Sequence, residues 1–205
     1  MWEDIKTLLK VKNIHGIHGI ELVFGLVLLG LRFLSLSYWL RPILPTPKSP
    51  KHKWRDNVID IYCIIQLVVL LILLVWSFGS IWNSVIGTYI LFEIYLNLFN
   101  IVFIGKIQEI NTPPSSVERS LLLLIMNVID VVLAFSVFYR DWFDLSKLDA
   151  FFQAVLVLST IGYPSSTGKL ALIVSLQIFL DLVLIVLFVS SFIGQIGLFS
   201  KGRKQ

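Results

Sequence analysis

Two apolar runs, roughly residues 118–139 and 170–198, are each long enough to cross a bilayer, and a third apolar run too short to do so lies between them. Few folds accommodate such a triplet. A short apolar helix followed by irregular backbone cannot stand bare in lipid, where unpaired N–H and C=O groups find no water. It is tolerated only when packed in protein or lining a water-filled path. The intervening stretch begins at Leu148 and ends at Pro164, LDAFFQAVLVLSTIGYP. It reads as a short helix over 148–158, a loop over 159–164, and a polar turn from Ser165 to Gly168.

The rest of the chain agrees with a lipid solvent. Of its 205 residues 57% are hydrophobic and 15% charged, whereas a soluble domain carries about a quarter charged residues. An all-α integral membrane protein, multi-pass in the cell membrane, is expected, with the lipid bilayer as its first partner. The formal net charge of +4 is small and dispersed, so nucleic acid is not an expected partner. The basic residues collect between apolar runs, where they report orientation. Cys63, the single cysteine, sits inside an apolar run and reads as a small hydrophobe. The opening MWEDIKTLLKVKN mixes acids and bases without a small-residue cleavage site, so no cleaved leader is expected.

Residues 1–13 place Trp2, Ile5, Leu8 and Leu9 on one helical face, as an interfacial helix would. HGIHG at 15–19 sets two histidines three apart. Only Glu21 could join them, too few ligands for a metal site, and a membrane-boundary turn is the better reading. A first span over roughly 20–40 carries Arg32, which must face protein or pair with a carboxylate such as Asp60 or Glu93. One arginine is not a repeating ladder, so no voltage sensor is expected. The loop 41–57 contains four prolines and the densest basic cluster of the chain, which assigns it to the cytoplasm.

Spans follow over roughly 58–78 and 82–104, with Trp76 and Trp82 at the interface between them. Glu93, Asn97 and Asn100 share one face of the second of these, and Asn127 and Asp130 share a face of the next span; interhelical hydrogen bonding is the expected role of both sets. Arg140, Asp141, Asp144 and Lys147 crowd residues 140–147, which therefore read as a solvated turret. The chain divides into an N-terminal membrane region (1–117), a second region of span, short helix, loop and span (118–198), and a basic tail (199–205). Five spans leave residues 1–19 outside the cell if the tail is inside.

Residues 149–164, DAFFQAVLVLSTIGYP, resemble the pore helix and selectivity filter of tetrameric potassium channels, in which an apolar helix runs into Thr-x-Gly-Tyr-Gly. Thr160, Ile161, Gly162 and Tyr163 match in order, and the flanking spans fall in register over roughly 118–198. The resemblance implies a helical bundle with a re-entrant pore helix and filter loop, assembled as a homotetramer. It implies potassium as the permeant ion, held by the backbone carbonyls of Thr160, Ile161, Gly162 and Tyr163 in place of its water, with no organic cofactor. Gly162 permits the positive φ that turns successive carbonyls toward the axis. The Tyr163 ring is expected to pack against Phe151 or Phe152. Pro164 stands where the family has glycine and Ser165 where it usually has aspartate. Proline fixes φ near −65°, so the outermost carbonyl is expected to point elsewhere and selectivity to relax. Asp181, eleven residues into the last span, should face the pore cavity or a neighbouring helix.

Two functions follow from these expectations. One is a channel for monovalent cations, chiefly potassium, without a voltage sensor. The other is a non-conducting pore homologue that serves as a membrane scaffold or regulatory subunit. An enzyme is not expected, because Asp60, Asp130 and Asp181 are scattered and no Ser/His pair is placed for nucleophilic attack. No soluble small-molecule substrate is expected either.

Overall fold

The computed structural model describes Val23, residues 26–28, 30–31, 34–36, 52–76, 78–99, 117–159 and 168–202. Among the described residues every regular element is helical and no strand occurs. Five helices account for most of them: α1 (His52–Val75), α2 (Ser80–Phe99), α3 (Val117–Phe143), α4 (Lys147–Leu158) and α5 (Lys169–Gly202). The segments Leu121–Phe143 of α3 and Lys169–Ser190 of α5 are long and apolar enough to cross a membrane, and Asp60–Val75 of α1 is a shorter apolar helix.

The helix α3 is central. Every residue from Asp130 to Arg140 is buried, which an amphipathic surface helix never achieves; burial on all faces requires neighbours on all sides. The neighbours are α1, α2 and α4, with α5 completing the enclosure against α2, α3 and α4. Aromatic residues of α3 recur at spacings of three and four and stack along one side of it. Phe135 meets Phe138 edge-on with centroids 5.7 Å apart, Phe138 meets Trp142 at 5.7 Å, and Tyr139 meets Phe143 at 6.3 Å. The α2 backbone approaches this ladder at Gly87, where a Cβ would stand 3.1 Å from the Phe138 ring. A glycine is therefore what lets α2 and α3 close together there.

The upper ends of α1, α2 and α3 meet at one guanidinium. Arg140 Nη1 donates to the carbonyl oxygens of Leu73 (2.7 Å) and Leu74 (2.6 Å), two of the last carbonyls of α1. These lack a donor four residues on and need an outside partner. The positive charge also sits at the negative end of the α1 dipole. Arg140 Nε donates to Asp141 Oδ1 at 2.7 Å, and Asn83 Nδ2, in the first turn of α2, donates to Asp141 Oδ2 at 2.7 Å. Trp142 Nε1 donates to Ser84 Oγ at 2.7 Å beside them. The expectation of a solvated turret over 140–147 is thus corrected for its first half. The side chains of Arg140 and Asp141 are 9% and 4% exposed, and of the four charged residues Asp144 and Lys147 are the two open to solvent. The partners that draw the first two inward come from α1 and α2.

Replacing Arg140 by leucine strips donors from two carbonyls and leaves Asp141 buried without its cation. We expect Arg140→Leu to lower unfolding stability in detergent micelles by about 3–5 kcal/mol and Asn83→Ala by about 1–3 kcal/mol. If Arg140→Leu unfolds within roughly 0.5 kcal/mol of the parent, the clamp contributes nothing.

Candidate functional site

The short helix α4 is where the sequence placed its candidate chemistry. Three residues, Asp144 to Ser146, connect it to α3, and Asp144 takes φ 51° to turn the chain. Ser146 caps α4: its Oγ accepts from Asp149 N at 3.2 Å and donates to Asp149 Oδ2 at 2.6 Å. Twelve residues give α4 a length of about 18 Å, well short of a hydrocarbon core roughly 30 Å thick. Its inner face is Ala150, Ala154 and Val157, small residues that allow close packing on the core. Its outer face is Leu148, Phe152 and Leu156, all exposed. The helix closes at Ser159, whose N–H reaches Val155 O (3.0 Å) and whose Oγ donates to Leu156 O (3.0 Å).

Thr160, Ile161, Gly162, Tyr163 and Pro164 lie outside the described residues, as do Ser165, Arg32, Asn100 and the His15/His18 pair. Phe151 and Phe152, the expected neighbours of Tyr163, meet each other edge-on with centroids 6.1 Å apart. What is described is the framework that carries the loop.

That framework has a polar seam on the inner side of α4. Tyr139 of α3 donates through its hydroxyl to Gln177 Oε1 of α5 at 2.8 Å. Gln177 Nε2 then donates to the Ala154 carbonyl oxygen of α4 at 2.9 Å. Tyr139, Gln177 and Ala154 are all fully buried. One side chain therefore joins three helices.

Asp181, four residues beyond Gln177, shares its helix face. It is 4% exposed within the single chain. Among the described residues neither Asp181 oxygen, nor the Tyr95 hydroxyl, has a partner at hydrogen-bond geometry, although Gln177 stands beside the carboxylate. Asp130 is also fully buried with both oxygens unpartnered. It does not make the interhelical hydrogen bond that its span suggested: among the described residues no donor reaches it.

Glu93 behaves as expected of a polar residue inside a bundle. Fully buried on α2, it accepts from Ser35 Oγ at 2.7 Å and from Leu36 N at 3.2 Å. Tyr89 OH bridges Leu34 O (3.3 Å) and Leu36 N (3.1 Å) beside it. The carboxylate thus takes up a backbone N–H supplied by a distant part of the chain. Among the described residues no three His, Cys, Asp or Glu side chains converge as metal ligands would.

Comparison with family models, with curated proteins and with solved structures finds no match to this chain. The site is therefore argued from its own residues. Sequence reasoning passed over Gln177 and Tyr139; the available signal was the spacing of four between Gln177 and Asp181 in an otherwise apolar helix.

A buried carboxylate without a donor is a cost that an apolar side chain removes. We expect Asp181→Leu to raise unfolding stability by about 1–3 kcal/mol, read by unfolding in micelles at neutral pH. A fall in stability would mean that the carboxylate gains a partner in the assembled protein.

Proposed function

We propose that this chain is the subunit of a homotetrameric channel that passes monovalent cations, chiefly potassium, across the cell membrane without a voltage sensor. One observation carries the reading. A capped apolar helix too short to cross a bilayer stands between two helices long enough to do so, and its C-terminal end leads into Thr160–Pro164. A soluble fold has little use for that order. In a bilayer it delivers irregular backbone to mid-depth, where carbonyls can replace an ion's hydration shell.

In this reading one loop supplies a quarter of a ring, and closed cyclic symmetry supplies the rest. The α4 dipole directs its negative end toward the ion path. Thr160 contributes its carbonyl and hydroxyl at the inner end, and Ile161, Gly162 and Tyr163 contribute carbonyls above it. Pro164 turns its neighbouring carbonyl out of line and lowers discrimination against sodium. Asp181, buried within the protomer, stands outside the ion path. The two polar anchors, Arg140 at the upper end of α3 and Gln177 behind α4, keep the loop's support rigid, which a geometric filter requires.

The test is cation flux into liposomes holding the purified protein. Potassium flux blocked by barium is expected, with weak preference over sodium. Pro164→Gly should raise that preference; an unchanged ratio would mean that the filter accommodates proline. No flux of any monovalent cation would sink the channel reading in favour of a non-conducting scaffold or regulatory subunit with the same fold. That second reading draws on Pro164 alone.

A further inference from the structure

We propose that Gln177 is a positioning residue: it sets the register of α4 against α5 and thereby the placement of the residues that follow α4. The inference rests on the channel reading for its functional consequence, and on the hydrogen bonds for its geometry. The Gln177 amide offers an acceptor oxygen and a two-hydrogen donor, and each end holds a partner on another helix. The Tyr139 hydroxyl donates to Oε1, which turns Nε2 toward the Ala154 carbonyl. The Ala154 oxygen also faces its own helix, so the amide takes its second lone pair and leaves the helical bond intact.

Burial makes this link discriminating. Gln177, Tyr139 and Ala154 are 0% exposed, so water cannot substitute when the bond breaks, and the separated groups bear the full loss. Ile173 and Val174 of α5 and Val157 of α4 belong to one apolar cluster. Such surfaces tolerate small sliding with little change in energy, whereas a hydrogen bond of 2.9 Å has one register. Ala154 stands in the second half of α4, one and a half turns before Thr160. A shift of α4 at this level passes directly into the loop. Tyr139 anchors the same amide to the most buried stretch of α3, so α5 and α4 are referred to a common fixed point.

The experiment uses the full-length protein reconstituted in liposomes, with Gln177→Met, Tyr139→Phe and the double variant. Methionine keeps the length and burial of the side chain and deletes both hydrogen bonds. Two readouts are taken: the potassium-to-sodium flux ratio, and amide hydrogen exchange in Lys147–Leu158 with Asp60–Val75 as internal reference. Gln177→Met should change the flux ratio by about fivefold or more and speed exchange in α4 while α1 stays as in the parent. Tyr139→Phe, which spares the bond to Ala154, should do less, and it should add nothing in the Gln177→Met background. Unchanged exchange in α4, or equal acceleration in α1 and α4, overturns the positioning role, since the first shows no link and the second only general loosening. A conducting parent with an unaltered ratio in Gln177→Met overturns it as well. A parent that passes no cation sinks the channel reading alone, and the exchange measurement still decides whether Gln177 holds α4.

Discussion

The enclosure of α3 governs the rest of the molecule. A helix wrapped on every side exchanges its water for protein, so the polar groups it carries are costly unless they find partners, and among its described buried side chains Asp130 is the one left without. Arg140 finds three: two carbonyls at the end of α1 and the carboxylate of Asp141. Tyr139 finds one on α5. Ser136 turns back to the Val132 carbonyl of its own helix at 2.7 Å. These bonds decide which neighbours stand where. Apolar packing alone would leave several rotations of α1, α2 and α5 nearly equal in energy, and the polar groups of α3 select one of them.

Much of this plan was legible in the chain. Helix expectations over 118–139, 148–158 and 170–198 meet helices at Val117–Phe143, Lys147–Leu158 and Lys169–Gly202. Long apolar runs bounded by polar clusters leave little freedom in where a helix begins. The discrepancies have a shared cause. α3 runs four residues past the expected end because Arg140 and Asp141 are structural members of it. Four charged groups in eight positions look like a wet loop when only neighbours in sequence are considered. Their partners lie 67 residues away at Leu73 and 58 residues away at Asn83, and no local pattern announces them. Gln177 escaped for the same reason: its role depends on Tyr139 and on a backbone carbonyl, and a carbonyl has no letter in the sequence.

Around the candidate site the order of helices was legible and their polar links were not. Composition and length placed a short helix between two long ones, as α3, α4 and α5 stand. The resemblance of Thr160–Tyr163 to a filter rests on side-chain identity, whereas the work proposed for the segment is done by backbone oxygens whose direction is set by neighbouring elements. Asp181 illustrates the gap. From sequence alone a lone carboxylate in a span has two acceptable surroundings, an aqueous cavity or a neighbouring helix. Which one it occupies follows from the rotation of α5, on which Gln177, one turn away, makes its hydrogen bonds to α3 and α4.

The outward face of α5 sharpens what a tetrameric channel built from this chain would be. Leu172, Leu176, Phe179, Leu182, Ile185 and Val189 are exposed in the single chain, with Ser175 the polar residue among them. A strip of that kind on a soluble protein would aggregate; here lipid, neighbouring copies, or both must cover it. Where part of it turns toward the proposed axis, the space beneath the filter is walled by hydrocarbon and carries no fixed charge from this helix, because Asp181 lies on the opposite, inward face. Attraction of a cation to the filter then falls to the α4 dipoles and the carbonyls alone. A path of this design favours ions through geometry and backbone dipoles. Its discrimination therefore depends on how firmly α4 is held, which returns the weight of the argument to the hydrogen bonds behind it.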